Sequence, residues 1–187
     1  MAHYTNTELK NLGLKSCGDN VFISKDAKIY SPHKMTIGND VRIDDFCILS
    51  GEIVIGNNVH LAPGVQLAAG AGKIILNDFS GIAFNTVITA SSDDFTGKSL
   101  TNPTVPEKYK KNKVVGEVII GKHVIVGTSC VILPNVNVGE GCSIGALSLI
   151  TKSLDAWGVY IGVPAKRIKN RSKDLLELER DYKESAK

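Results

Sequence analysis

The sequence predicts an all-β solenoid, a parallel β-helix in which short strands stack coil upon coil around branched aliphatic side chains. Three observations carry that expectation. Apolar residues recur every six positions, small and polar residues fill the intervals, and the beat breaks at only a few places. The first block divides into IGNDVR, IDDFCI, LSGEIV, IGNNVH, LAPGVQ and LAAGAG. Its first positions are Ile37, Ile43, Leu49, Ile55, Leu61 and Leu67, and its fifth positions are Val41, Cys47, Ile53, Val59, Val65 and Ala71. A second block, over residues 120–155, repeats the pattern as IGKHVI, VGTSCV, ILPNVN, VGEGCS, IGALSL and ITKSLD.

Alternation along a strand sends the fifth residue of one hexad and the first of the next to the same face, with one outward residue between them. The remaining residues turn a corner. Gly38, Asn39, Gly56, Asn57, Gly121 and Gly139 occupy corner slots, where their types suit backbone conformations that branched residues resist. A helix cannot keep a period of six on one face, and the recurrent glycines would destabilise it. A sandwich needs irregularly spaced hairpins, which this regular punctuation does not supply.

The elements follow in order. Residues 1–20 form an N-terminal cap, with TNTELKNLG as a short helix capped by Thr5 or Thr7. Residues 21–169 form the coils, with a three-residue slip at 73–75 and a 26-residue excursion, 91–116, that lacks the hexad. Residues 170–187 form a C-terminal helix capped by Ser172, with Leu175, Leu178 and Tyr182 on one face. A single domain spans 1–187, the caps covering the strand edges that an open stack would expose.

Composition narrows the function classes. The formal charge of +3 is too small and dispersed to argue for nucleic acid. No apolar run is long enough for a membrane-spanning helix, and neither terminus carries a secretory or lipidation signal, so a cytoplasmic protein without a membrane span is expected. Cys17, Cys47, Cys130 and Cys142 have no zinc spacing and no disulfide density, and the last three, at inward fifth positions, read as apolar filler. AAGAGK, residues 68–73, lacks the full phosphate-loop pattern and reads as a corner loop. Trp157 follows the last hexad and is expected to pack on the final coil or the C-terminal helix.

The hexads over 21–169, with GVPAKRI at 162–168 and the preceding coil IGALSLITKSL, resemble the hexapeptide-repeat acyltransferases. That resemblance implies a left-handed β-helix, a homotrimer with active sites between subunits, and acyl-coenzyme A as co-substrate without a metal. It implies that Gly145, Ala146 and Thr151 border the pantetheine or ribose and that Lys152, Lys166 and Lys169 face the phosphates. The basic run PAKRIKNRSK, five Lys and Arg with no acid, thereby gains an anionic partner. Thr128 matches the position whose backbone N–H contributes to the oxyanion hole.

In the family the excursion closes the active site and often carries a His that deprotonates the acceptor. Here it contains none; Asp93 and Asp94 stand in that place. SSDDFTG resembles the subgroup that acylates nucleotide-linked amino sugars in bacterial surface glycan synthesis, which implies a dTDP-linked deoxy amino sugar as acceptor. The chemistry agrees, because a sugar hydroxyl needs a strong base, whereas an ammonium needs only a carboxylate to hold it and take its proton. Either Asp93 or Asp94 fits this role, and a turn or Asx cap is the plainer alternative. Asn85, Glu117 and His60 are candidate acceptor contacts. His3 and His33 read as surface residues, and His123 sits in a corner. Two other readings compete: a sugar O-acetyltransferase using His60 or a group from a partner subunit, and a non-catalytic scaffold. KYKKNK, residues 108–113, reads as a mobile, solvated loop tip.

Overall fold

If six residues advance the chain by one side of a coil, residues 18 apart must stack, and the pairing in the computed structural model, which describes residues 2–185, follows this rule. Three parallel ladders result. The first runs through Ile29, Leu49, Leu67, Ile88, Ile132 and Ile150. The second runs through Cys17, Ile37, Ile55, Leu76, Ile120 and Val138. The third runs through Ile23, Ile43, Leu61, Ile82, Val126, Ile144 and Tyr160. Nearly all of these residues and the fifth-position residues beside them are buried in one continuous core. Each fully buried Ile or Leu contributes about 2 kcal/mol by removal of apolar surface from water. Cys47, Cys130 and Cys142 lie in that core as fillers, their Sγ–H groups directed at the carbonyls of Ala62, Gly145 and Asp155.

The corners obey a finer rule than the sequence reading gave. Left-handed backbone falls on the fourth hexad position, as at Asp40, Phe46, Asn58, Asn85, His123 and Leu147. The second-position glycines serve stacking instead. A Cβ on Gly38 would lie 2.6 Å from the Gly56 carbonyl oxygen, and one on Gly121 2.7 Å from that of Val138. At third positions the side chains of Asn39, Asn57 and Asp78 accept from the backbone N–H of Asp19, Asn39 and Asn57 at 2.7–2.8 Å, lacing one corner along the stack.

The slip is displaced from its expected place. Ser50 pairs with Ala68 and Glu52 with Lys73, so the extra residues fall within 69–72, and Lys73 to Ile75 pair regularly. The expected inward Ala71 is exposed and Ala69 is buried in its stead. Leu76 next pairs with Ile120, so the excursion leaves one side of a coil and returns on the next side without disturbing the ladders.

Both ends are closed. Helix α1, Asn6–Asn11, begins with a capping box between Thr5 and Glu8. At the other end the strand Gly158–Ile161 is covered by the antiparallel strand Lys166–Asn170, whose turn is the GVPAKRI segment. The ring of Trp157 packs against Gly141 of the coil below, as expected. Helix α2, Leu175–Ser185, follows, with the Asp174 N–H donating to the Ser172 hydroxyl at 3.2 Å.

The apolar face expected to bury α2 stays open, with Leu178 68% and Tyr182 47% exposed beside a groove lined by Phe79, His123 and Ile125. Polar contacts hold the helix instead. Glu179 accepts from Lys122 at 2.6 Å and from the His123 Nε2 at 2.7 Å, and Arg171 donates to the carbonyls of His123, Gly141 and Cys142. Burial pushes the Glu179 carboxyl up, but the bonds from Lys122, Lys183 and His123 outweigh it and bring its pKa down to about 2.

Two outcomes follow. Gly121→Ala forces a Cβ against the next coil and should destabilise the prism by about 1–3 kcal/mol, measured as a lower melting temperature. Because the folded pKa of Glu179 lies below its unfolded value, its contribution is present above about pH 4.5 and is lost as pH falls toward about 2. Circular dichroism and amide exchange of 175–185 should register release of α2 in that window, before the coils unfold.

Candidate active site

The residues singled out by the sequence fall on two edges of the prism. The chain crosses from the first ladder to the second at residues 90–116 and again at 151–153, which places Asp93, Asp94, Glu117, Thr151 and Lys152 along one edge. It crosses from the third ladder to the first at residues 83–86, 127–130 and 145–148, which places Asn85, Thr128, Gly145 and Ala146 along another. His60 faces outward on the third ladder beside that second edge. Within one protomer, the width of a face separates the two sets.

The excursion is ordered by its own polar groups. Ser91–Ser92 pairs antiparallel with Val114–Val115 to make a stalk. Beyond it, Asp94 accepts from the N–H groups of Thr96, Lys98 and Ser99 at 2.7–2.8 Å and from the Thr96 hydroxyl at 2.6 Å. The Thr96 hydroxyl and these amides hold its carboxyl at about 2. Lys110, expected in a mobile tip, is buried, donating to the Asn102 carbonyl at 3.0 Å and pairing with Glu107 at 2.8 Å. An ammonium and a carboxylate internal to the loop therefore close it, which a basic run in the sequence does not reveal.

This division separates the two aspartates. Both oxygens of Asp94 are committed to the loop. Asp93 accepts one bond, from the Asn102 N–H at 2.9 Å to Oδ2. It lines a pocket of about 320 Å³ with Lys113, Ser91, Ser92 and the displaced residues Gly70 and Ala71. A Cβ on Gly70 would strike the Ser91 side chain, so the three-residue insertion lies directly against the root of the excursion.

At the top of the same edge, Thr151, Lys152 and Lys166 converge on a cleft of about 370 Å³ with Pro164, Tyr160 and Arg167. Lys169 does not line it. Arg167, missed as an individual residue, does, held by Asn170 at 2.9 Å; the signal was its place in the basic run. Arg171 and Lys173 of that run act elsewhere, the former on carbonyls and the latter over the Trp157 ring.

On the other edge, Thr128 and Ala146 occupy the same hexad position one coil apart. Their N–H groups, and that of Phe84 a coil below, have no acceptor among the described residues, whereas the carbonyls of Thr128 and Phe84 accept from the N–H groups of Leu147 and Ser129. Three free donors spaced by about 4.8 Å form a strip suited to an amide-bearing chain and to a developing oxyanion. Gly145 has a packing reason of its own, since a Cβ there would meet Ile161. Asn85 supplies a left-handed corner. Glu117 faces outward, in register with Lys73. The His60 Nε2 lies 2.8 Å from Asp44, which also accepts from Arg42 at 2.7 Å. His123 is engaged with Glu179, His33 is exposed, and His3 stacks edge-on against Phe22. Among the described residues no cluster of His, Cys, Asp or Glu is arranged as metal ligands, and no helix is long and apolar enough to cross a membrane.

Comparison with known proteins follows the same lines. The model of the bacterial transferase hexapeptide (six repeats) matches residues 34–69. A dTDP-4-amino-4,6-dideoxy-D-glucose acyltransferase of Escherichia coli is 43% identical, the match covering 100% of this chain and 97% of that protein. Among solved structures, a variant of AntD, an N-acyltransferase from Bacillus cereus, in complex with dTDP and coenzyme A, superposes with a TM-score of 0.96 at 46% identity over 99% of this chain and 100% of its own. Another AntD variant, in complex with dTDP-4-amino-4,6-dideoxyglucose and coenzyme A, has a TM-score of 0.95 at 47% identity, covering 98% of this chain and 97% of its own.

Replacing Asp94 with Ala should open the excursion while sparing the coils. Limited proteolysis between residues 95 and 112 should accelerate at least about tenfold, as expected when local opening is eased by more than 1.4 kcal/mol, with little change in the melting temperature of the prism.

Proposed function

The chain belongs to the hexapeptide-repeat acyltransferases that include dTDP-4-amino-4,6-dideoxy-D-glucose acyltransferase, and on that premise we propose how its residues divide the work. It is an acyl-coenzyme A-dependent N-acyltransferase acting on the amino group of a nucleotide-linked deoxy amino sugar. The observation that carries the residue assignment is the contrast at the excursion: Asp94 is spent on the loop, and Asp93 keeps an oxygen for a ligand.

In the proposed reaction Asp93 holds the sugar ammonium, orients it and takes a proton from it. The freed nitrogen lone pair attacks the thioester carbonyl, forming the C–N bond. The Thr128 N–H donates to the oxyanion, the C–S bond breaks, and the coenzyme A thiolate leaves and takes up a proton. No covalent acyl-enzyme is needed. Lys152, Lys166 and Arg167 face the coenzyme A phosphates, with Thr151 beside them, and the Ala146 N–H donates to a pantetheine carbonyl. Lys113, which lines that pocket and also pairs with Glu107 at 2.7 Å, would meet the diphosphate of the acceptor.

We further infer a homotrimer with sites between subunits. The separation of Asp93 and Thr128 onto different edges supports this, since a site that uses both is incomplete until the edge of one copy meets the other edge of its neighbour. Use of coenzyme A and a nucleotide sugar supports a cytoplasmic step in bacterial surface glycan synthesis.

Coenzyme A should raise the melting temperature in proportion to the logarithm of its concentration. Asp93→Asn should lower kcat by about 10²–10⁴-fold and leave that coenzyme A shift intact, as followed by thiol release with a dTDP-linked amino sugar. A wild-type rate in that variant, or turnover of the matched hydroxy sugar alone, would overturn the assignment.

A further inference from the structure

The glycines of this chain have reasons that can be read one by one, and one of them lacks a reason in the fold. Gly13, Gly51, Gly64, Gly70, Gly97, Gly141 and Gly162 have left-handed φ. A Cβ on most of the others would press into the adjacent coil or its side chains, as at Gly38, Gly121, Gly127 and Gly139. Gly81 alone has neither property: its φ is ordinary for an L residue, and an added Cβ would meet nothing within 4 Å.

Gly81 lies in the outward row of the third ladder, between His60 and Ile125. Its missing side chain opens a groove of about 210 Å³ lined by His60, Ala62, Ala83, Phe84, Ile125 and Val126. The lining is almost wholly apolar, with no Lys or Arg, so it suits neither a phosphate nor a sugar. At its far end the His60 ring is tied to Asp44.

The position of the groove identifies its occupant. The strip of free N–H groups descends from Ala146 to Thr128 to Phe84, away from the cationic cleft of Lys152 and Lys166. A pantetheine chain that reaches the top of this strip from the cationic cleft of a neighbouring copy and presents its thioester to Thr128 would direct the acyl group one coil further, where Phe84 and Val126 border the groove. We propose that this groove is the acyl-chain subsite and that Gly81 makes room there for a chain longer than acetyl. The inference rests on the reading of the chain as an acyl-coenzyme A-dependent N-acyltransferase.

Refilling the groove tests it. Gly81→Ala and Gly81→Val add side chains into open space at a strand position, so both should fold with melting temperatures near that of the wild type. The quantity measured is the ratio of kcat/KM for butyryl-coenzyme A to that for acetyl-coenzyme A, with a dTDP-linked amino sugar as acceptor. Gly81→Val should lower the ratio about 10–100-fold, as one or two misfitting methylenes do, with Gly81→Ala intermediate. An unchanged ratio, or a rise confined to the KM of the nucleotide sugar, overturns the acyl subsite while leaving the N-acyltransferase reading intact. Absence of thiol release from either acyl-coenzyme A in the wild-type protein defeats that reading itself, and this inference with it.

Discussion

Everything in this molecule depends on coil-to-coil stacking. Each backbone strand exchanges hydrogen bonds with the strands one coil above and one coil below, and the same repeat sets the buried Ile, Leu and Val of each coil directly over those of the next. The hydrogen-bond ladder and the apolar ladder therefore share one register, and neither can slip without breaking the other. Such coupling makes the faces rigid and leaves freedom only at corners, where no inward side chain constrains the sequence.

The corners are accordingly where chemistry can be attached. An insertion placed there adds residues without shifting any ladder, as the pairing of Leu76 with Ile120 across the excursion demonstrates. The smaller insertion at 69–72 belongs to the same construction, since it lies one coil below and braces the root of the larger loop. Corners also expose third-position N–H groups. Where the coil above offers Asn or Asp the donor is consumed, as at Asn39 and Asn57; where it offers Thr or Ala, as at Phe84 and Thr128, the donor stays free for a ligand.

The fold was legible because its signal is periodic: hexads identify inward residues without any knowledge of partners, and the burial of Ile37, Leu49, Val124 and Ile144 agrees with that reading. The site was legible only by residue type and neighbourhood. Adjacent aspartates are equivalent in a sequence, and only the turn at Thr96 to Ser99 distinguishes the one that organises the loop from the one that faces outward. Arg167 was hidden inside a basic run whose members proved to serve three different purposes. The misplacement of the slip has a similar cause, because AAGAGK keeps its apolar character while its backbone leaves the frame, and composition cannot register where a strand bulges.

Glycine shows why residue type alone misleads and why the reason behind it informs. In the sequence, Gly38, Gly70 and Gly81 are alike, yet the first is excluded from bearing a side chain by the next coil, the second by its backbone and by Ser91, and the third by nothing in the protein. A side chain at position 81 would extend the outward row between His60 and Ile125 and shield apolar surface of the prism, so the fold would gain from having one. Its absence opens an apolar hollow beside the donors of Thr128 and Phe84. An emptiness that the packing does not require is better explained by what enters it than by what surrounds it.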